Sequence, residues 1–280
     1  MWIKQSVFYQ IYPLGLCGAP WKQDHKISPR IEKIIQWIPH MKALGVDALY
    51  FNPVFFSSTH GYDTIDYGKI DPRLGTNETF QKVCRALHDS EIRVVLDGVF
   101  HHVGREFWAF VDVLQKREAS AYADWFFIDF NGESCYEDHL WYEGWEGHFE
   151  LVKLNLKNPA VKNYLIQQVK SWIDQFDIDG LRLDVAYSLD QSFLCELSEI
   201  CRAQKEDFCL IGELLHGDYN QFVNETMLSS CTNYECYKGL YSSCNSMNLF
   251  EISYSLNRQF GKEPWTLYKG KHLLSFLDKH

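Results

Sequence analysis

Two periods alternate along this chain. Short apolar runs of strand length are followed by segments whose apolar residues fall three and four apart. Val7 to Tyr12 reads as a strand closed by Pro13, and Val46 to Asn52 as a second. Between them Ile31, Ile34, Ile35, Ile38 and Met41 trace a helical face that Gly45 is placed to end. Phe80 to Leu87 reads as a short helix. Ile92 to Leu96 is a third strand, apolar on both faces, ending in Asp97. Asn158 and Pro159 are suited to cap and open a helix whose face is Val161, Leu165, Val169, Trp172, Ile173 and Phe176. Leu181 to Leu183 and Phe208 to Gly212 follow as the fourth and fifth strands. Cys231 to Cys236 reads as a sixth, Leu249 to Phe260 as a helix, and Leu273 to Leu277 as a seventh strand. The stretch from about Val103 to Leu156 shows no clean period. It is rich in aromatics and glycine, and a stretch that long without regular structure usually serves a function.

Alternating strands and helices predict an α/β fold with a parallel sheet. Repetition of the unit predicts a TIM (β/α)8-type barrel rather than an open sheet. An open dinucleotide-binding sheet should carry a G-x-G-x-x-G turn after its first strand. Leu14-Gly15-Leu16-Cys17-Gly18-Ala19-Pro20 is not one, and no Walker loop occurs, so nucleotide binding is disfavoured.

Two of the apolar runs end in carboxylates. Gly180-Leu181-Arg182-Leu183-Asp184 is one, and Cys209-Leu210-Ile211-Gly212-Glu213 is the other, with Asp184 and Glu213 29 residues apart. That spacing is one helix between neighbouring parallel strands. It brings the two acids out side by side at the carboxyl edge, where barrel active sites lie. A close pair of carboxylates is the equipment for cleaving a glycosidic bond. Asp97, with His101 and His102 after it, ends the third strand at the same edge. A lone strand-terminal aspartate is more often a cap or an ion-pair partner; the agreement of several strands on one face is what points to chemistry.

Composition narrows the partners. The 280 residues carry 27 basic and 37 acidic side chains, a net charge of −10, which disfavours nucleic acid or an anionic membrane as partner. Hydrophobic residues make up 46%, enough for a large core. Aromatics reach 16%, which suits either a large core or the stacking of sugar rings. The nine cysteines include no C-x-x-C pair or zinc-ligand spacing. With no leader-like start and no long apolar run, this reads as a cytoplasmic protein with free thiols. Oligomeric state is left open, a homo-oligomer included.

These residues carry a resemblance to the α-amylase superfamily of glycoside hydrolases, and within it to the cyclomaltodextrinase, neopullulanase and maltogenic amylase group. Asp97-Gly98-Val99-Phe100-His101-His102 resembles the first region of that family, D-x-V-x-N-H. Gly180-Leu181-Arg182-Leu183-Asp184-Val185-Ala186 resembles the second, Ile211-Gly212-Glu213 the third, and Phe276-Leu277-Asp278-Lys279-His280 the start of the fourth. Leu151-Val152-Lys153-Leu154-Asn155 is similar to the M-P-K-L-N segment of the neopullulanase group. His60-Gly61-Tyr62-Asp63-Thr64 resembles the loop whose tyrosine stacks on the sugar being cleaved.

The resemblance implies retaining hydrolysis of α-1,4 bonds in maltodextrins, cyclodextrins or related α-glucans. Asp184 would be the nucleophile and Glu213 the acid/base, with carboxyls about 5–5.5 Å apart. Arg182 would hold Asp184 ionised, and Glu213 would take up its proton more readily than Asp184. Tyr62, Asp97, His102, Asp278 and His280 would shape the subsite around the reacting glucose. Residues 1–102 would begin the barrel and 157–280 continue it. Residues 103–156 would be a small inserted domain, walling the cleft with rings such as Trp141, Tyr142 and Trp145. No cofactor is implied. His101 stands where many members have an asparagine that binds calcium, and calcium prefers oxygen donors, so that ion is disfavoured. Lys279 replaces another family asparagine. The third family carboxylate, an aspartate directly after the histidine of the fourth region, falls past His280, and the barrel is expected to be incomplete at the C-terminus. Two other activities fit the residues: transglycosylation to a sugar acceptor, and sugar binding or scaffolding without turnover.

Overall fold

A computed structural model describes residues 2–277. Asp278 and His280 therefore lie outside the described residues. Six strands, β1 (Phe8–Ile11), β2 (Ala48–Phe51), β3 (Arg93–Gly98), β4 (Gly180–Leu183), β5 (Cys209–Gly212) and β6 (Ser230–Cys231), lie side by side in chain order. Every neighbouring pair is parallel. Consecutive order without a reversal is the arrangement of a barrel wall; a doubly wound sheet would reverse direction at a switch point.

The register builds the interior in rows. Gln10, Tyr50, Val95, Gly180 and Cys209 are successive cross-strand partners. Tyr50, Val95, Cys209 and Ile211 pack with Ile3 inside the curved sheet. The alternate residues Leu49, Phe51, Val94, Leu96 and Leu210 face outward into the main core beneath the helices. A Cβ on Gly180 would lie 2.3 Å from Cys209 Sγ, so that row closes only around glycine. In the next row toward the carboxyl edge Asp97 pairs with Arg182, and Arg182 with Ile211. Charged groups therefore begin where the apolar layers stop.

The helices cover the outer face. The Asn77–Asp89 helix is capped by Thr76, whose side chain accepts the Thr79 N–H at 3.3 Å. Asn158 caps Pro159–Phe176 by accepting the Ala160 N–H at 2.8 Å, as its sequence predicts. Asp190 caps Gln191–Gln204.

Four segments depart from their sequence reading. The first helix is 3-10 over Arg30–Trp37 and α only over Ile38–Ala43. Pro39 cannot donate to the carbonyl one turn back, so the preceding turns tighten, and the buried Ile31 and Ile34 then stack at the 3-10 period. The sixth strand is only Ser230–Cys231, because Asn233 accepts the Cys236 N–H and starts the helix Tyr234–Ser246. In place of a seventh strand, Leu274 makes a single parallel bridge to Thr232. The stretch after β3 is more regular than its sequence suggests: a helix at Trp108–Lys116, a three-stranded antiparallel sheet of His102–Gly104, His148–Lys153 and Gly144–Trp145, and a pair formed by Ile128–Asp129 and Trp141–Tyr142.

One buried cation fixes the loop carrying His60 and Tyr62. Arg73 grips the Asp71 carboxylate through Nε and Nη2 at 2.9 and 2.7 Å. Its Nη1 donates to the carbonyls of Pro20, Trp21 and Thr59 at 3.1, 2.7 and 2.8 Å. The loop is thus tied to two distant segments by a group that cannot lose its charge.

Candidate active site

Because β3, β4 and β5 are adjacent and in register, Asp97, Arg182, Asp184 and Glu213 meet at one edge. The centre is the Arg182 guanidinium, 2% exposed. Its Nη1 donates to Asp97 Oδ1 and Oδ2 at 2.9 and 3.1 Å and to Asp184 Oδ1 at 2.7 Å. Its Nη2 lies 2.6 Å from Glu213 Oε1. The Val185 N–H donates to Glu213 Oε2 at 3.1 Å. Three carboxylates thus surround one cation.

The electrostatics follow from that ratio. Burial raises Asp184 to about 7; Arg182 opposes the rise, and the charges of Asp97 and Glu213 add to it. Burial also raises Asp97 against the pull of Arg182. Arg182 does contact Asp184 as the sequence predicts, but desolvation and two like charges outweigh it. Near neutral pH the cluster therefore retains a proton among its carboxylates.

The cluster forms the floor of a cavity of about 420 Å³ lined by His60, Tyr62, His102, Trp145, His148, Glu150, Tyr187, Asp184 and Glu213. Tyr62 donates its hydroxyl to Asp97 Oδ2 at 3.1 Å and accepts from Asn52 Nδ2 at 2.8 Å. His102 is buried, and its Nε2 has no hydrogen-bond partner among the described residues. Burial, then His101 and His60, hold its ring well below the usual histidine range, so it presents a neutral imidazole. The other face is built by the strands after β3: Trp145 stacks on His148 with centroids 5.4 Å apart, and His148 Nδ1 lies 3.1 Å from Glu150.

Tyr62, Asp97, His102, Arg182, Asp184 and Glu213 are therefore brought together. Of the three rings expected to wall the cleft, only Trp145 lines it. Tyr142 is fully buried, donating to the Phe149 carbonyl and bonded to Arg105, and its neighbour Trp141 points the other way. At His101, Nδ1 faces His102 Nδ1 at 3.3 Å, and burial with the nearby charge of Lys153 lowers its ring to about 4. A neutral imidazole beside the Lys153 ammonium does not fit the oxygen donor that calcium prefers at position 101.

The family model described as alpha amylase, catalytic domain, matches residues 24–262. This chain belongs to the alpha-amylase family. It is 35% identical to a maltogenic alpha-amylase from Bacillus acidopullulyticus over 89% of this chain and 44% of that one. It is 37% identical to neopullulanase 2 from Thermoactinomyces vulgaris over 83% of this chain and 42% of that one. Among solved structures, a cyclomaltodextrinase superposes with a TM-score of 0.86 at 29% identity, over 99% of this chain and 50% of that one. The cyclic alpha-maltosyl-(1→6)-maltose hydrolase from Arthrobacter globiformis superposes with a TM-score of 0.84 at 29% identity, over 99% and 66%. The chain spans a little under half the length of the first two relatives.

Four members of this alpha-amylase site escape a reading of the sequence. Tyr50 donates to Asp97 Oδ2 at 2.9 Å, and Gln10 Nε2 donates to Asn52 Oδ1 at 2.9 Å. Tyr234 bonds Glu213 Oε1 at 3.1 Å. Tyr50 and Asn52 do carry a signal, two residues apart on β2 and its end, as inward positions of a barrel strand must be. Gln10 and Tyr234 carry none.

Proposed function

We propose that this chain is the catalytic part of a retaining glycosidase that hydrolyses α-1,4-glucosidic bonds in maltodextrins, cyclodextrins or related α-glucans. The observation that carries the reading is one buried guanidinium holding Asp184 and Glu213 together at the floor of a ring-lined cavity. The superposed cyclomaltodextrinase is named for a substrate of this class, which supports the reading. In the active state the proton of the cluster sits on Glu213, and Asp184 is ionised. Asp184 attacks the anomeric carbon as Glu213 protonates the departing glycosidic oxygen, giving a glycosyl ester and a free sugar end. Glu213, now a carboxylate, takes a proton from water; the water oxygen attacks the ester and Asp184 leaves. Tyr62 supplies a ring to the reacting sugar, while the neutral imidazole of His102 offers a donor to its hydroxyls. Residues 103–156 act as the inserted domain that builds the facing wall through Trp145 and His148. The protein works in the cytoplasm, a placement supported by a 33% identical relative named intracellular maltogenic amylase from Bacillus subtilis.

The test is Asp184→Asn in the complete gene product. Release of reducing ends from maltodextrin and cyclodextrin is expected to fall on the order of 10⁴-fold or more. Undiminished turnover would sink the assignment.

A further inference from the structure

Glu213 receives a hydrogen bond from a residue that the reaction above does not use. Tyr234 is the first residue of the helix Tyr234–Ser246. The start of that helix is fixed firmly: Asn233 caps it and is locked to the buried Gln259 by reciprocal amide bonds of 2.8 and 3.0 Å. The Phe276 ring packs edge-on against Tyr234 with centroids 5.0 Å apart. From this mount the phenol reaches Glu213 Oε1 at 3.1 Å.

The two oxygens of Glu213 are held differently. Oε2 accepts the Val185 N–H. Oε1 has the Arg182 cation at 2.6 Å and accepts the phenol hydroxyl of Tyr234. We infer that Tyr234 is a positioning residue for the acid/base: by donating to Oε1 it fixes that oxygen as an acceptor and places the transferable proton on Oε2. Burial, with the charge of Glu213 next, holds the phenol well above its usual range, so it remains a donor while Glu213 is ionised. Among the described residues, Arg182 and Asp184 on β4 and its end, Asp97 on β3, and Tyr187 also interact electrostatically with Glu213.

The inference rests on the reading of Glu213 as acid/base, and the experiment separates the two. Tyr234→Phe and Glu213→Gln are compared with wild type, in the complete gene product, on maltotriose and on α-maltosyl fluoride. Fluoride departs with little help from an acid. Tyr234→Phe is expected to lose roughly 10-fold in kcat on maltotriose with KM within twofold, and less than twofold on the fluoride. A phenol donating to the carboxylate favours its charged form. Removing that donor should therefore move the alkaline limb of kcat/KM up by about one pH unit. Equal losses on both substrates, or an unmoved limb, overturn the positioning role. A Glu213→Gln enzyme at full rate on maltotriose overturns the acid/base reading instead. Should the phenylalanine variant not fold, difluorotyrosine at position 234 keeps the shape and strengthens the donor; the limb must then move down, and an unmoved limb again overturns the inference.

Discussion

Strand β4 has an aspartate just beyond each end, and the two are held in opposite ways. Asp179, at the amino end, accepts the Val94 N–H at 2.8 Å and lies 2.9 Å from both His88 Nε2 and Lys205 Nζ, with Arg93 at 3.5 Å. Burial works against its charge, but the bonds from His88, Lys205 and Val94 outweigh it and hold the carboxyl down to about 2. Asp184, at the carboxyl end, shares one cation with two other acids and is pushed up to about 7. Both are nearly inaccessible, so burial does not separate them. What separates them is the number of donors per carboxylate. One end of the strand uses its charges to hold the fold together; at the other, three acids share one cation and Asp184 is pushed toward its neutral form.

Three substitutions break or sharpen this contrast. The largest effect is expected from Arg182→Met, which leaves three buried carboxylates without a cation. Unfolding in urea should show a loss of about 3–5 kcal/mol at pH 7, shrinking as the pH falls and the acids become neutral. A loss independent of pH would mean that packing, not charge, sets the role of Arg182.

Next comes Asp179→Asn. Its carboxyl has a lower pKa folded than unfolded, so its contribution is complete above the unfolded value and is lost as pH falls from about 4 toward about 2. The variant should lose about 2 kcal/mol at pH 7, and its stability should vary less than that of wild type across that window. Parallel curves for the two proteins would refute the assignment.

The smallest effect has the opposite sign. A carboxyl raised on folding makes the native state bind more protons than the unfolded chain between about pH 4 and 7, so stability falls as pH rises through that range. Asp184→Asn removes this cost. It should gain about 1 kcal/mol at pH 8 and nothing at pH 4, read from thermal melts. Destabilisation at pH 8 would erase the distinction between the two ends of the strand.

The same contrast explains what the sequence could disclose. Asp97 and Glu213 end apolar runs, and Asp184 ends one apolar but for Arg182; such a run marks a buried parallel strand, and a charge ending it lies at the strand's edge. Arg182 is named through the family resemblance, and its place two residues before Asp184 on one strand face agrees with that role. Asp179, just before a strand and followed by glycine, looks like any turn aspartate, and its partners His88, Arg93 and Lys205 come from three separate segments. Tyr234 was hidden for the same reason, since its contact with Glu213 depends on where Asn233 starts a helix. The 3-10 stretch at Arg30–Trp37 kept helical spacing in its apolar residues, and only Pro39 marked the change. Local pattern reveals elements and their ends; contacts that join distant segments through polar groups leave no period to read.

The consecutive order of β1 to β6 has a consequence for the chain's birth. Each strand after β1 pairs with one synthesised before it, so the order of the wall allows growth by addition without displacing a strand. Arg182 and Asp184 emerge after Asp97 and before Glu213. The guanidinium thus meets its first two acids early; Glu213 arrives with β5, and Tyr234 follows with the helix after β6.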